Sequence, residues 1–136
     1  QCRLAQARMA RHPGGETVKI SIHRLDTLFA QVIKQRDQWT CQRCGKKFVP
    51  GHAQGLDTSH IFGRRHKSVR WQPLNAKSLC FMCHRWWHEN PTESGKWAEA
   101  FLGREKYECL VALKNEIVKD NVAHRKSQWD RLKALT

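Results

Sequence analysis

From Ile20 onward the apolar residues Ile22, Leu25, Leu28, Phe29, Val32 and Ile33 recur at spacings of three and four. That is the period of a helix with one apolar stripe, and it predicts an amphipathic helix ending before Asp37. Residues 48 to 63 alternate poorly and are rich in glycine, yet Leu56 to Phe62 suits one strand of a short hairpin. Asn75 to Leu79 reads as a passage from a loop into a second short helix. Cys80 to Glu89 then has no breaker before Asn90-Pro91, which leaves room for about two to three helical turns. After Pro91, the residues Trp97, Ala98, Phe101 and Leu102 share a helical face, with Gly103 as a stop. Tyr107, Leu110, Val111, Leu113, Ile117 and Val118 continue the helical period, and Trp129, Leu132 and Leu135 form a weaker stripe in a basic tail from Val122. Residues 1 to 19 carry Arg3, Arg8, Arg11, Lys19 and the breaker Pro13-Gly14-Gly15, with little to pack, and read as a basic arm.

A chain of 136 residues has enough material for one domain with a modest core. Its formal charge of +13 and pI near 10.0 change the picture, because such a surplus serves a polyanion. No apolar run approaches the roughly 18 to 20 residues of a membrane span, and no basic helix has an apolar face broad enough for a membrane surface. Nucleic acid is therefore the expected partner, with no membrane and no small-molecule substrate. The first residues lack both an initiator methionine and the apolar segment of a signal peptide, so the chain reads as a fragment, while two Cys-x-x-Cys pairs, read as metal ligands in a reducing compartment, place it in a cytosol.

Four of the six cysteines form two Cys-x-x-Cys pairs, Cys41/Cys44 and Cys80/Cys83. Two such turns facing each other offer four thiolates in the tetrahedron that zinc prefers, and Gly45 allows the first turn to close. A redox dithiol needs only one pair, so the spacing favours a structural Zn2+. Cys2 and Cys109 read as a free thiol and a helix-core residue. The 35 residues between Cys44 and Cys80 exceed what a simple zinc ribbon needs and must carry structure of their own.

Between Gln38 and His88 stand nine Lys or Arg residues and one acid, Asp57. A lone carboxylate in so basic a stretch reads as a metal ligand or as the partner that orients a histidine. His84 and His88, four apart on the expected helix, project from one face and can share a cation. Arg64, Arg65, Lys67 and Arg70 follow His60 without interspersed acids and suit phosphate contacts. Six to eight such contacts across the chain give a salt dependence of about −5 to −7 in log K against log salt. Of Trp86 and Trp87, adjacent on a short helix, one is expected to point outward.

Asp57-Thr58-Ser59-His60-Ile61-Phe62-Gly63-Arg64-Arg65, followed by Pro73-Leu74-Asn75 and by Leu79-Cys80-Phe81-Met82-Cys83-His84, resembles the motif of the HNH, or ββα-metal, endonucleases. The resemblance spans about residues 36 to 91, and it is closest to phage recombination nucleases of the NinG and Ref kinds. It implies an α+β fold, a small zinc-stabilised ββα-metal nuclease core flanked by N-terminal and C-terminal helices. The implied domain runs over 20 to 136, with its core at about 36 to 91 and the C-terminal helices at 94 to 136. By the same resemblance His60 is the general base, Asn75 braces the loop and keeps the His60 ring oriented, and His84 is a ligand of a catalytic metal. His88 matches a second helical histidine of some members, such as colicin nucleases, and Asp57 is the candidate third ligand. Where many members carry an aspartate or histidine immediately before the base, this chain has Ser59, and Asp57 lies about 6 to 7 Å further along a regular strand.

The implied activity is metal-dependent hydrolysis of DNA phosphodiester bonds, in phage recombination or processing, in the cytosol of a bacterial host. The implied catalytic ion is divalent, Mg2+ or Mn2+ ahead of Zn2+ or Ni2+, and a RecA-like recombinase filament is a candidate partner. Two other readings share parts of the pattern. A non-catalytic zinc-dependent DNA-binding or recombination-accessory module would explain Ser59. A zinc-stabilised RNA-binding protein shares the charge but has no need of the histidines.

Overall fold

The computed structural model describes residues 19–52 and 54–136. The expected basic arm lies almost wholly outside the described residues, as does Cys2. Helix α1, Ile22–Arg36, starts where the Ser21 hydroxyl accepts a hydrogen bond from the Arg24 N–H at 3.2 Å. It buries the stripe Leu25, Leu28, Phe29, Val32 and Ile33, each worth about 1.5–3 kcal/mol when fully removed from water.

Gln38 and Trp39 then take positive φ values of 52° and 54°, which reverse the chain and deliver it into the first cysteine turn. There the Gly45 N–H donates to the Cys41 carbonyl at 2.9 Å, with Gly45 at φ 80°. Strand β1, Leu56–His60, pairs antiparallel with β2, Ala76–Cys80, in the register Leu56 to Cys80, Ser59 to Lys77 and His60 to Ala76. Helix α2, Phe81–Glu89, follows β2 without a linker. Helices α3 (Pro91–Leu102), α4 (Arg104–Lys114) and α5 (Val122–Ala134) complete the described chain. The described residues form a small α+β architecture of five α-helices and one two-stranded sheet.

Two expectations need correction. Residues 76–80 form a strand rather than the approach to a helix. The segment is short, and the hydrogen-bonding partner that decides its conformation lies about 20 residues earlier in the chain. Ile117 and Val118 lie beyond the end of α4, and Ile117 is fully exposed. The remaining helices fall where the apolar spacing put them, with Gly103 at φ 82° ending α3.

Strand alternation divides the work of the sheet. His60, Ser78 and Ala76 face α1, where Phe29 stacks on the His60 ring at 5.4 Å and the Asp37 carboxylate accepts the Ser78 N–H at 2.7 Å. Asp57, Ser59, Lys77 and Leu79 face α2. Arg36 ties α1 to the start of β2, donating to the carbonyls of Pro73 and Ala76, both at 2.7 Å. Helix α5 closes the far side of α1, with Leu132 fully buried and Trp129 packed beside it. None of the described helices is long and apolar enough to cross a membrane.

Candidate functional site

The two cysteine turns meet at the end of the sheet. Cys41 and Cys44 come from the turn after α1, Cys80 ends β2, and Cys83 lies in the first turn of α2. One sulfur from each lies within 4.8 Å of every other, and the Cys44 and Cys80 Sγ atoms are 3.7 Å apart. A tetrahedral ZnS4 centre with bonds of about 2.3 Å requires sulfurs about 3.8 Å apart, so the donors and their spacing fit a zinc ion. Among the described residues this is the one group of three or more ligating side chains so placed.

Burial pushes the Cys83 thiol up to about 12, against the lowering pull of Arg43, whose Nη1 lies 3.6 Å from its sulfur. Burial acts on Cys41 too, but hydrogen bonds from the backbone N–H groups of Cys44, Cys80 and Arg43 outweigh it and hold that thiol at about 7. Four thiols this close cannot all ionise without a cation, so metal uptake releases protons. The Arg43 guanidinium also lies 3.6 Å above the Trp86 ring, and Trp86 and Trp87 are both half-buried, so neither points freely outward as expected.

The cysteine centre fixes where α2 starts, and that sets the histidines. The Asp57 carboxylate lies 3.0 Å from His84 Nδ1, and His84 Nε2 lies 3.0 Å from His88 Nε2. The three side chains thus form a relay. Asp57 meets the ring nitrogen pointing away from His88, as a carboxylate that orients an imidazole does. Two imidazole nitrogens 3.0 Å apart suit adjacent ligands of one ion, which would subtend about 90° at metal–nitrogen distances of roughly 2.1 Å.

His60 leaves the opposite face of β1. Its Nε2 lies 3.0 Å from the Arg70 carbonyl, and burial pushes its pKa down to about 4 although that carbonyl favours the protonated ring. The ring is therefore neutral at pH 7 and able to accept a proton. Asn75 has no exposed surface. Its side-chain amide donates to the carbonyls of Phe62 (2.9 Å) and Val69 (3.0 Å), while its side-chain oxygen accepts the Phe62 N–H at 2.8 Å. Its own carbonyl accepts the Ile61 N–H at 2.7 Å. Asn75 thereby pins both ends of the loop that carries Arg64, Arg65 and Lys67 and delivers the Arg70 carbonyl to His60.

Arg64, Arg65 and Lys67 are exposed on that loop. Arg70 is not free in the same way. Its guanidinium grips the Asp26 carboxylate at 3.2 and 2.8 Å, and the Trp71 indole donates to the same acid at 2.8 Å. Arg70 thus anchors its own carbonyl to α1, and its charge is already matched. Sequence reasoning missed Asp26, although it is the sole acid of a helix otherwise rich in His, Lys and Arg, the same signal that singled out Asp57.

It also missed Lys77. This side chain is completely buried, its Nζ 3.2 Å from the Ser59 hydroxyl and 3.1 Å from the centre of the Trp87 ring. Burial pushes its pKa down to about 6. Only the strand register reveals it, by setting Lys77 opposite Ser59 on the face that α2 covers. Cys109 is half-buried on α4 rather than a core residue.

Compared with known protein families, curated proteins and solved structures, the chain matches none.

Proposed function

We propose that the protein is a metal-dependent DNA endonuclease of the HNH type, with a zinc-stapled ββα core. The observation that carries this reading is the Asn75 clamp. It pins the loop whose Arg70 carbonyl orients a neutral His60, while the helix after β2 carries the His84–His88 pair. These are the positions at which the resemblance expects the base, the loop brace and the metal ligands.

His60, held by Phe29 and the Arg70 carbonyl, takes the proton from the attacking water. His84 and His88 hold the catalytic ion, and Asp57 keeps the His84 ring turned toward it rather than binding the ion itself. A divalent ion bound there supplies charge stabilisation to the phosphate and the leaving oxygen. Two imidazoles as protein ligands suit Mn2+, Ni2+ or Zn2+ better than Mg2+, which prefers oxygen. Arg64, Arg65 and Lys67 bind flanking phosphates.

The test is nicking of supercoiled plasmid with Mn2+ and with Mg2+. His60→Ala is expected to lose roughly 100-fold or more of the rate, the usual contribution of a positioned base. Nicking by that variant at the wild-type rate would falsify the assignment of the base.

A second reading is favoured by one contact. Ser59 stands where many family members place a ligand, and the Lys77 amine fills the space beside it. A zinc-dependent DNA-binding or recombination-accessory module would tolerate that substitution. It predicts DNA binding with no nicking under either metal, on naked or recombinase-coated DNA.

A further inference from the structure

Beside His88 lies a cleft of about 250 Å3 lined among others by Ile61, Phe62, Trp87, Gly95 and Tyr107. It opens next to the histidine pair, and its floor begins one residue after His60. Its size is below the roughly 300–1,000 Å3 of pockets for drug-sized ligands, and suits one flat ring system. Phe62, Trp87 and Tyr107 give it aromatic surface among aliphatic and small residues, with the Phe62 and Tyr107 rings 6.1 Å apart and the Lys114 ammonium 4.8 Å from the Phe62 ring centre. An aromatic slot with a cation at its edge, beside a candidate phosphate site on a strongly basic chain, fits a base attached to a phosphate backbone.

We infer that this cleft takes one unpaired nucleobase of DNA, flanking the phosphate at His84 and His88, so that the substrate is single-stranded or locally unpaired. The inference rests on the nuclease reading of the histidine pair. Bases within an intact duplex are stacked and paired and cannot enter a side cleft without being extruded. A single strand presents them freely, and every base has a face to stack.

Gly95 provides the test, because it lies on α3 where an added Cβ meets no atom within 4 Å. Gly95→Leu therefore adds bulk at the cleft wall, at a helical position that favours leucine over glycine. The probe is a short oligodeoxynucleotide carrying 2-aminopurine, titrated without added divalent metal so that nothing is cut, as a single strand and as a duplex. Wild type is expected to bind the single strand at least tenfold more tightly and to change the probe's emission through stacking. Gly95→Leu, folded and zinc-loaded, is expected to lose roughly tenfold in single-strand affinity with duplex affinity unchanged. Tyr107→Ala should behave alike and serves if the leucine variant does not fold. Equal wild-type affinity for the two forms, or unaltered single-strand binding in both variants, overturns the proposal. Plasmid nicking by the same proteins separates the two claims. Nicking with no effect of either variant on single-strand binding sinks the cleft alone, and cleft binding without nicking sinks the nuclease reading alone.

Discussion

Asn75 and Lys77, two residues apart, are both fully buried polar side chains, and their situations are opposite. Asn75 satisfies three backbone groups with its amide. Asn75→Ala leaves those groups without their partner, at an expected cost of about 2–4 kcal/mol by urea denaturation, and nicking should fall with it because the Arg70 carbonyl loses its support. Lys77 has a hydroxyl and an aromatic ring as neighbours and, among the described residues, no carboxylate paired with it. Its folded pKa of about 6 lies below its usual 10.5, so between those values the unfolded chain binds the extra proton. The stability present above pH 10.5 is therefore lost as pH falls toward 6. Lys77→Met is expected to be more stable by about 1–4 kcal/mol at pH 7, and to show a flatter rise in stability between pH 6 and 9 than wild type. A less stable methionine variant would show that the amine makes a net favourable contact with Ser59 and Trp87.

At the scale of elements, α2 joins the two candidate metal positions. Its first turn carries Cys83, its second His84, and its last turn His88. Cys83→Ser is expected to lower bound zinc from one ion per chain, measured by mass spectrometry, and to lower the melting temperature by about 10 °C or more. Nicking should fall in parallel, since α2 then loses its anchor against β1 and the Asp57–His84–His88 relay comes apart. Normal nicking by a zinc-free variant would show that the two positions are independent. The helices themselves were legible from the sequence because each carries its apolar stripe within its own 9 to 15 residues. Strand β2 was not, because five residues hold too little pattern and the conformation of 76–80 depends on its ladder to β1.

For the whole molecule, the proposed DNA-binding role raises the question of how much of the +13 charge is free to meet phosphate. Arg70 is paired with Asp26 and Lys77 is buried, which removes two cations from the basic stretch. About four to six phosphate contacts are then expected, and log K for duplex DNA should fall with log salt at a slope of about −4 to −5, shallower than the full basic set gives. Fluorescence anisotropy between 50 and 200 mM salt checks this, and Arg70→Gln should leave the slope unchanged while Arg64→Gln reduces it by about one.

The sequence alone determined the features that act over short range. Two Cys-x-x-Cys turns specify a candidate zinc site whatever lies between them, the 3–4 spacing of apolar residues specifies helices, and His84 and His88 share a face because a helix turns every 3.6 residues. Tertiary structure decided how these parts are used. Pairing of β1 with β2 set His60 on the α1 face and Asp57 on the α2 face, turned Asp57 toward the Nδ1 of His84, and buried Lys77. Packing of α1 against the loop matched Arg70 to Asp26. Each of these joins residues from 18 to 44 positions apart. Local periodicity says nothing about such contacts, because the burial and the partners that set a side chain's charge and direction come from elements brought together only on folding.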